Sequence, residues 1–484
     1  MPTEEELMQE RIRKMQEFRK LGINPYPYRY APTHTARQLL EKYGALQGEL
    51  AKDNARVAGR ITSLRRMGKI TFCHVQDHTD KFQLYFKEET LGKEYDVLRL
   101  WDIGDWVGAE GFIFKTKTGE VTLHVEKSVM LCKSIRPFPE KWHGLKDIEI
   151  RYRKRYLDLI MNPEVREVFR KRTRMVEAIR DVLNARGFLE VETPVLQPIY
   201  GGAAAKPFKT HLNALNQDVF LRIAPELYLK KLIVGGFDRV YEIGKSYRNE
   251  DIDRTHNPEF TSIEVYQAYA DFKDMMELTE DLYVAVTMAV HGTTTFEYQG
   301  QKIDVKKPWK AYTMIEAIDE FGDVDVAALD DKGLLARVPK KELLPPRPTR
   351  GMLIQALFEQ LVEEKLIQPT FITHHPQETT PLCKPCRDDH PGMVERFEPF
   401  CAGMELGNAY SELNDPILQR KLLQEQGKAG WGEQVDEDFI QAIEYGMPPT
   451  GGLGIGIDRM VMLLTNAASI RDVIFFPFMK GVNG

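Results

Sequence analysis

Apolar positions recur at helical spacing over residues 3–22, and the proline-bearing GINPYPYRY (22–30) ends that helix before a short helical piece, ARQLLEKYG. From Arg56 to about Pro139 the pattern changes to short alternating runs: RVAGRITSLRRMGKITFCHVQD, KFQLYF and DWVGAEGFIFKTKTGEVTLHVEKSVMLC. These read as five strands with turns at Gly68-Lys69 and Thr118-Gly119, a pattern that suits a small closed barrel. IRYRKRYLDLI (150–160) reads as a basic hinge helix into a second domain. Beyond it, strand pieces (VFLRIA, DRVYEIG, EFTSIEVYQAY, MELGNAYSEL, GGLGIGI) alternate with helical stretches at 272–291 and about 312–365. Gln299-Gly300 marks a hairpin. The elements are not regular βαβ units, so the pattern predicts an α+β fold with a mostly antiparallel sheet. The expected domains are residues 1–143, a hinge at 144–160 and 161–484.

A length of 484 residues makes two or more domains the default. No apolar run is long enough for a membrane span, and the charged start MPTEEELMQERIRK lacks the apolar core of a signal peptide. A cytoplasmic protein with no membrane partner is expected. Five unevenly placed cysteines do not make a disulfide framework. The formal charge is −6, so any polyanion must be met by local basic patches. One candidate is RIRKMQEFRK (11–20), which is either a solvated face or such a contact.

Candidate chemistry concentrates in three stretches. In YRNEDIDRTHNPEFTSIEVY (247–266) a polar loop carrying Arg248, Glu250, His256 and Asn257 runs into a strand. Alternation places Phe260, Ser262, Glu264 and Tyr266 on one face and the apolar Ile263 and Val265 on the core side. A carboxylate on that face needs a partner or a ligand. In FEPFCAGMELGNAYSELND (397–415), Asn408, Tyr410 and Glu412 share a strand face, and Glu398 and Glu405 could hold a hard divalent cation. Strict alternation puts Glu405 opposite Glu412, so a bulge is needed if both serve one cavity. GGLGIGIDRMVMLL (451–464) is no dinucleotide fingerprint, because too little chain follows. Its glycines mark a close approach to the backbone, Asp458 is expected to cap the next helix, and Arg459 stands at the strand's mouth. In the barrel, Phe72, Phe82, Gln83, Phe86, Lys115 and Lys117 read as a platform for single-stranded bases.

These stretches resemble a known family. YRNE with HNPEF looks like motif 2 of the class II aminoacyl-tRNA synthetases, GGLGIGIDR like motif 3, and GFLEVETPVLQPIYGGA (187–203) like motif 1. The barrel, RYRKRYLDL, PELYLKKL and NAYSELND narrow the resemblance to the class II lysyl-tRNA synthetases. The resemblance implies an OB-fold anticodon-binding domain followed by a catalytic domain that makes lysyl adenylate from L-lysine and ATP and charges lysine tRNA. It implies a homodimer through motif 1 and Mg²⁺ with the ATP.

By the same resemblance Arg248 and Arg459 are catalytic. Glu250, His256, Asn257 and Phe260 join them at ATP, with Phe260 and Arg459 sandwiching the adenine. Gly202, Glu226, Glu264, Tyr266, Asn408, Tyr410 and Glu412 form the lysine pocket, Glu398 and Glu405 hold Mg²⁺, and Phe72, Gln83 and Glu120 read the anticodon. The sequence departs from the family at Met404, where a basic residue is common. Cys383 and Cys386, with His374, His375 and His390 nearby in sequence, could bind zinc, but the family needs none, and the expected reading is packing of a mobile active-site loop. Two alternatives share the catalytic domain: an aspartate or asparagine sister enzyme, disfavoured by the three pocket acids, and a lysylating enzyme for a translation factor, disfavoured by the barrel.

Overall fold

The structure, a computed structural model, describes residues 2–46, 50–139, 145–388, 390–428 and 435–481. The chain divides into two compact units, Met1–Trp142 and His143–Gly484. The expected boundary at 143/144 lies outside the described residues.

The first unit opens with helix α1 (Glu4–Lys20), which carries a capping box in which Thr3 and Glu6 satisfy each other's backbone N–H groups. Five strands, β1 (Leu50–Met67), β2 (Ile70–Gln76), β3 (Lys81–Lys87), β4 (Trp106–Lys115) and β5 (Val121–Cys132), close into a barrel in the order β1-β2-β3-β5-β4. Closure removes sheet edges and encloses an apolar core that includes Phe82, Phe86, Leu84 and Leu123.

In the second unit the expected single hinge helix is two short ones, Ile148–Arg153 and Arg155–Met161, broken at Lys154. The break follows from Arg155, which is fully buried and donates to the carbonyls of Arg471 and Phe475 while pairing with Asp158. A long amphipathic helix, Pro163–Ala185, follows, starting with Pro at a position where its missing N–H costs nothing.

The central sheet contains β6 (Leu189–Glu190), β7 (Arg239–Tyr247), β8 (Glu259–Ala268), β9 (Lys310–Thr313), β10 (Thr370–Pro376), β11 (Met393–Cys401), β12 (Met404–Glu405), β13 (Gly407–Ser411) and β14 (Thr450–Gly456). Its order is β9-β10-β11-β13-β14-β8-β7-β6, with β12 paired to β11. Only the two outer pairs, β9 with β10 and β6 with β7, are parallel. One face packs on helices Pro163–Ala185 and Phe272–His291 through a core holding Ile263, Val265, Leu453 and Ile455, which leaves the other face free to build a site. The region 312–365 is helical with breaks, as Met314–Gly322, Asp331–Arg337 and Arg350–Leu361. Gln299 and Gly300, both at positive φ, turn the hairpin between Thr295–Tyr298 and Gln301–Asp304.

Candidate active site

The open face of the sheet forms the floor of a cavity of about 870 Å³. The antiparallel pair β7·β8 places Arg248 just past the end of one strand, and Phe260, Ser262, Glu264 and Tyr266 of the next all reach the cavity. From the neighbouring β13 come Asn408 and Tyr410, and Glu412 follows directly after it.

One end of the cavity is acidic. Glu226, Glu264 and Glu412 converge there with a residue that the sequence reading passed over, Lys230. Lys230 sits one helical turn beyond Glu226 on the helix Glu226–Val234, and its fully buried Nζ lies 2.5 Å from Glu226 Oε1 and 2.5 Å from Glu412 Oε2. Burial works against its charge, yet the two carboxylates more than offset this and hold its pKa above the ordinary value. Glu412 meets Lys230 as an ion pair outside hydrogen-bond alignment, and its Oε1 has no protein partner. Burial raises the Glu412 pKa despite Lys230. Glu264 accepts from the Tyr266 hydroxyl at 3.2 Å, but burial and the nearby Glu226 push it up to about 8.

Two glycines make room for these acids. Gly202 has φ +87°, and a Cβ there would stand 3.0 Å from Glu226 Cβ, so the rim carries no side chain. A Cβ on Gly452 would fall 1.9 Å from Glu412 Oε1 and 2.7 Å from Tyr266 Cε1. The close approach marked by the glycine-rich strand is thus made by the pocket's own carboxylate and ring.

The acids on either side of the β12–β13 step reach one cavity because the register slips. β12 pairs β11 as Phe400 to Glu405, whereas β13 pairs it as Arg396 to Tyr410, one residue out of step. The slip resets the alternation at Leu406, whose N–H donates to Pro399 O. Glu405 and Asn408 therefore face the same cavity.

At the other end, Glu398, Glu405, Glu359 and Glu363 gather around Arg396, Arg459 and Arg248. Burial, with Glu405 and Glu359 beside it, pushes Glu363 up to about 7, and burial with Glu398 raises Glu405. Such carboxylates are short of positive charge, and their oxygen donors suit a hard divalent cation. Arg396, also unforeseen, bonds Glu398 Oε1 at 2.5 Å and Asn408 Oδ1 at 2.9 Å, and Asn408 Nδ2 donates to the Tyr410 hydroxyl at 2.6 Å. Arg248 lies over the Phe260 ring at 5.0 Å, and its buried Nε has no protein partner. Arg459 donates to Glu405 O at 2.7 Å and stands 3.3 Å from His256 Nε2. His256 is oriented by Asp253, 2.8 Å from its Nδ1. Glu250 accepts from Lys206 N–H at the rim. Asn257 borders the cavity with its amide already engaged, donating to Glu259 O and accepting from Phe478 N–H.

Asp458 does not cap its helix. Gly456 is the N-cap, and Asp458, buried in the first turn, pairs with Arg172 and accepts from Thr261 N–H, tying β8 to the core helices. The five cysteines are free thiols, and Cys383, fully buried, bridges to the backbone of Glu412.

On the barrel, strand register arranges an outward row of rings. Phe72 pairs with Tyr85, Tyr85 with His124, and His124 with Phe112, with centroids 5.1, 5.2 and 4.6 Å apart. Beside it, Glu120 takes His74 Nε2 at 2.8 Å and Gln83 Nε2 at 2.7 Å, and Thr122 fixes Gln83 Oε1. Phe82 and Phe86 are not in this platform. They point into the barrel core, and Lys115 donates to the carbonyls of Gly44 and Leu46. The outward alternates Tyr85, Phe112 and His124 supply the aromatic surface in their place.

A mostly antiparallel sheet that carries a strand–loop–strand arginine, a carboxylate cluster and a glycine-rich strand ending at Arg459, in a chain that also has an OB barrel, defines a class II tRNA synthetase. Residues 147–480 match the family "tRNA synthetases class II (D, K and N)", and residues 55–131 match "OB-fold nucleic acid binding domain". Similar proteins include a lysine–tRNA ligase of Pelotomaculum thermopropionicum, 51% identical over 98% of this chain and 95% of the relative. The lysine–tRNA ligases of Carboxydothermus hydrogenoformans and Thermotoga maritima are each 50% identical, over 98% of this chain and 98% and 96% of the relatives. The chain belongs to the lysine–tRNA ligase family.

Proposed function

We propose that the protein activates L-lysine with ATP to lysyl adenylate and transfers the lysyl group to the 3′-terminal adenosine of lysine tRNA. The observation that carries this reading is the charge of the acidic end. Three carboxylates, Glu226, Glu264 and Glu412, face one resident ammonium, Lys230, so the pocket is short of cations and a positively charged ligand draws the raised acids into their ionised form. Lysine brings two ammonium groups, and its aliphatic stem suits the rings of Tyr266 and Tyr410. Aspartate or asparagine would present an anion or a neutral amide to the same acids, and the barrel sets the protein apart from an enzyme that lysylates a translation factor.

In this reading a lysine carboxylate oxygen attacks the α-phosphorus of ATP, the P–O bond of a mixed carboxylic–phosphoric anhydride forms, and the bond from the α-phosphorus to the bridging oxygen breaks, releasing pyrophosphate. Arg248 offers the α-phosphate a buried guanidinium with a free Nε donor, stabilising charge as it develops without a protein nucleophile. Phe260 and Arg459 flank the adenine, with Glu250, His256 and Asn257 around it. Glu398 and Glu405, supported by Glu359 and Glu363, would hold Mg²⁺, which when bound neutralises phosphate charge. Phe72, Gln83 and Glu120 contact the anticodon. The protein works as a cytoplasmic homodimer through the 187–203 segment, a reading favoured by the half-exposed Leu189 and Leu196 and by Phe237. Among the described residues no helix is long and apolar enough to cross a membrane.

Pyrophosphate exchange into ATP, run with each common amino acid in turn, tests the proposal. Exchange should depend on lysine alone. Exchange driven by aspartate or asparagine would transfer the pocket to a sister activity.

A further inference from the structure

Away from the cavity floor, three side chains meet in an arrangement that the aminoacylation chemistry does not use. His374 lies on β10, and Asp388 and His390 lie on the segment joining β10 to β11. One ligating atom from each lies within 4.8 Å of the other two. His374 Nε2 stands 3.5 Å and His390 Nδ1 3.4 Å from the same oxygen, Asp388 Oδ1. Both nitrogens are buried, and neither makes a hydrogen bond.

The tautomer of His374 gives this meaning. Thr373 Oγ1 donates its only hydrogen to Tyr312 O at 3.2 Å. With that hydrogen on Tyr312 O, the hydroxyl accepts from His374 Nδ1–H, 2.8 Å away, and in this tautomer Nε2 is a lone pair open to a cation. This lone pair faces a carboxylate oxygen. Two acceptors in contact repel unless a cation lies between them. A ligating histidine whose second nitrogen is held by a protein acceptor is the usual outer-shell arrangement of a metal site.

The distances agree. Ligands about 2.0–2.1 Å from a tetrahedral zinc stand about 3.3–3.4 Å from one another, close to the 3.4 and 3.5 Å observed. The backbone also aims the side chain. His374 has φ +58° and occupies a bulge where the β10·β11 register shifts between Thr373 and His375. The bulge turns it toward Asp388 and His390, while the next residue, His375, faces Ile372 O.

We propose that His374, Asp388 and His390 form a binding site for a borderline divalent cation of the Zn²⁺ class. Two imidazoles and one carboxylate suit such an ion and not Mg²⁺, which prefers an all-oxygen shell. The thiols of Cys383 and Cys386 are not part of it. The role is structural: the near end of the same segment, Thr379 to Leu382, walls the acidic end of the cavity, so the ion clips that wall to β10.

The test uses full-length protein stripped with chelator and returned to millimolar Mg²⁺, which occupies oxygen-only sites, then titrated with Zn²⁺ or Co²⁺. One ion per chain should bind, with the visible absorption of nitrogen- and oxygen-ligated Co²⁺ and no thiolate charge-transfer band, and Zn²⁺ should raise the melting temperature. Asp388→Asn, at a half-exposed position where folding is safe, and His390→Ala should lose the ion and the melting shift. Cys386→Ser should keep both. Thr373→Val, which frees the tautomer without removing a ligand, should weaken binding about 10–100-fold. Absence of binding in Mg²⁺, or binding that survives both Asp388→Asn and His390→Ala, would show the cluster to be an ordinary histidine–aspartate pair. Loss of the ion in Cys386→Ser would overturn the ligand set.

Discussion

Lys230 and Glu412 are both wholly inaccessible to solvent, and the ammonium of one stands 2.5 Å from the carboxylate of the other. The pair lies at the acidic end of the cavity, where, if lysine binds there as proposed, Lys230 sets the charge that the ligand must supply. Removing one partner of a buried pair strands the other and typically costs about 3–5 kcal/mol. Lys230→Met should lower stability to denaturant by that order and should also change lysine KM more than ATP KM. A variant that loses stability while both KM values stay unchanged would make Lys230 a purely structural counter-ion.

The acids themselves should make lysine binding depend on pH. Glu264, ordinarily near 4.5, is raised to about 8 by burial and Glu226, and only partly relieved by Tyr266, Arg222 and Arg248. Between those values the folded protein holds a proton that the unfolded chain has released, so this group makes stability fall as pH rises from about 4.5 to about 8. Lysine reverses the balance, because its ammonium favours the ionised carboxylate. Calorimetry should find lysine affinity rising by up to about tenfold per pH unit through this range and levelling above it. Glu264→Gln should flatten the Glu264 part of that slope, and an unchanged profile would place the titration elsewhere.

Gly452 offers a test that leaves every charge in place. A methyl at this position would overlap Glu412 Oε1 and crowd Tyr266, both pocket groups. Overpacking of this kind typically costs about 1–3 kcal/mol. Gly452→Ala should raise lysine KM by roughly 10- to 100-fold on that scale, with ATP KM little changed. Gly454→Ala is the control, since its Cβ would meet nothing closer than Glu264 Cγ at 3.7 Å.

Period-two alternation made the active face legible in sequence, since Ile263 and Val265 had to be core and Glu264 had to be elsewhere. It could not reveal β10 or β11. Their FITHHP and MVERFEPF runs bury both faces and carry prolines, so they show no clean period. Nor could it reveal Lys230 or Arg396, because a lysine one turn after a glutamate, or an arginine two before one, reads as an ordinary surface ion pair until burial is known. Phe82 and Phe86 misled for the opposite reason: in a barrel strand, aromatic residues on the inner face look the same in sequence as those on the outer. The slip at Leu406 was foreseeable as a need, from Glu405 falling out of phase with Glu412, but not as a position.

The barrel and the catalytic unit should separate by activity. Every residue assigned to ATP or lysine lies between Gly202 and Arg459, within the unit that starts at His143 and has its own core. A fragment beginning near Asp147 should therefore still catalyse lysine-dependent pyrophosphate exchange while charging tRNA poorly. In the full chain, Phe72→Ala removes an outward ring from the row with Tyr85 and His124. It should lower aminoacylation by the worth of one stacked base, about 1–3 kcal/mol, with exchange almost unchanged. Phe82→Ala is the contrast, a core truncation expected to cost about 3–5 kcal/mol of barrel stability. Gln83→Ala and Glu120→Ala break the pair that fixes the polar edge beside that row, and should relax discrimination among anticodons more than they weaken total binding, because edge contacts specify where backbone contacts position. Exchange and aminoacylation measured side by side on these variants decide the matter. Parallel loss of both activities in Phe72→Ala would mean that the barrel supports the catalytic unit mechanically, and full charging by the fragment would remove its part in tRNA recognition.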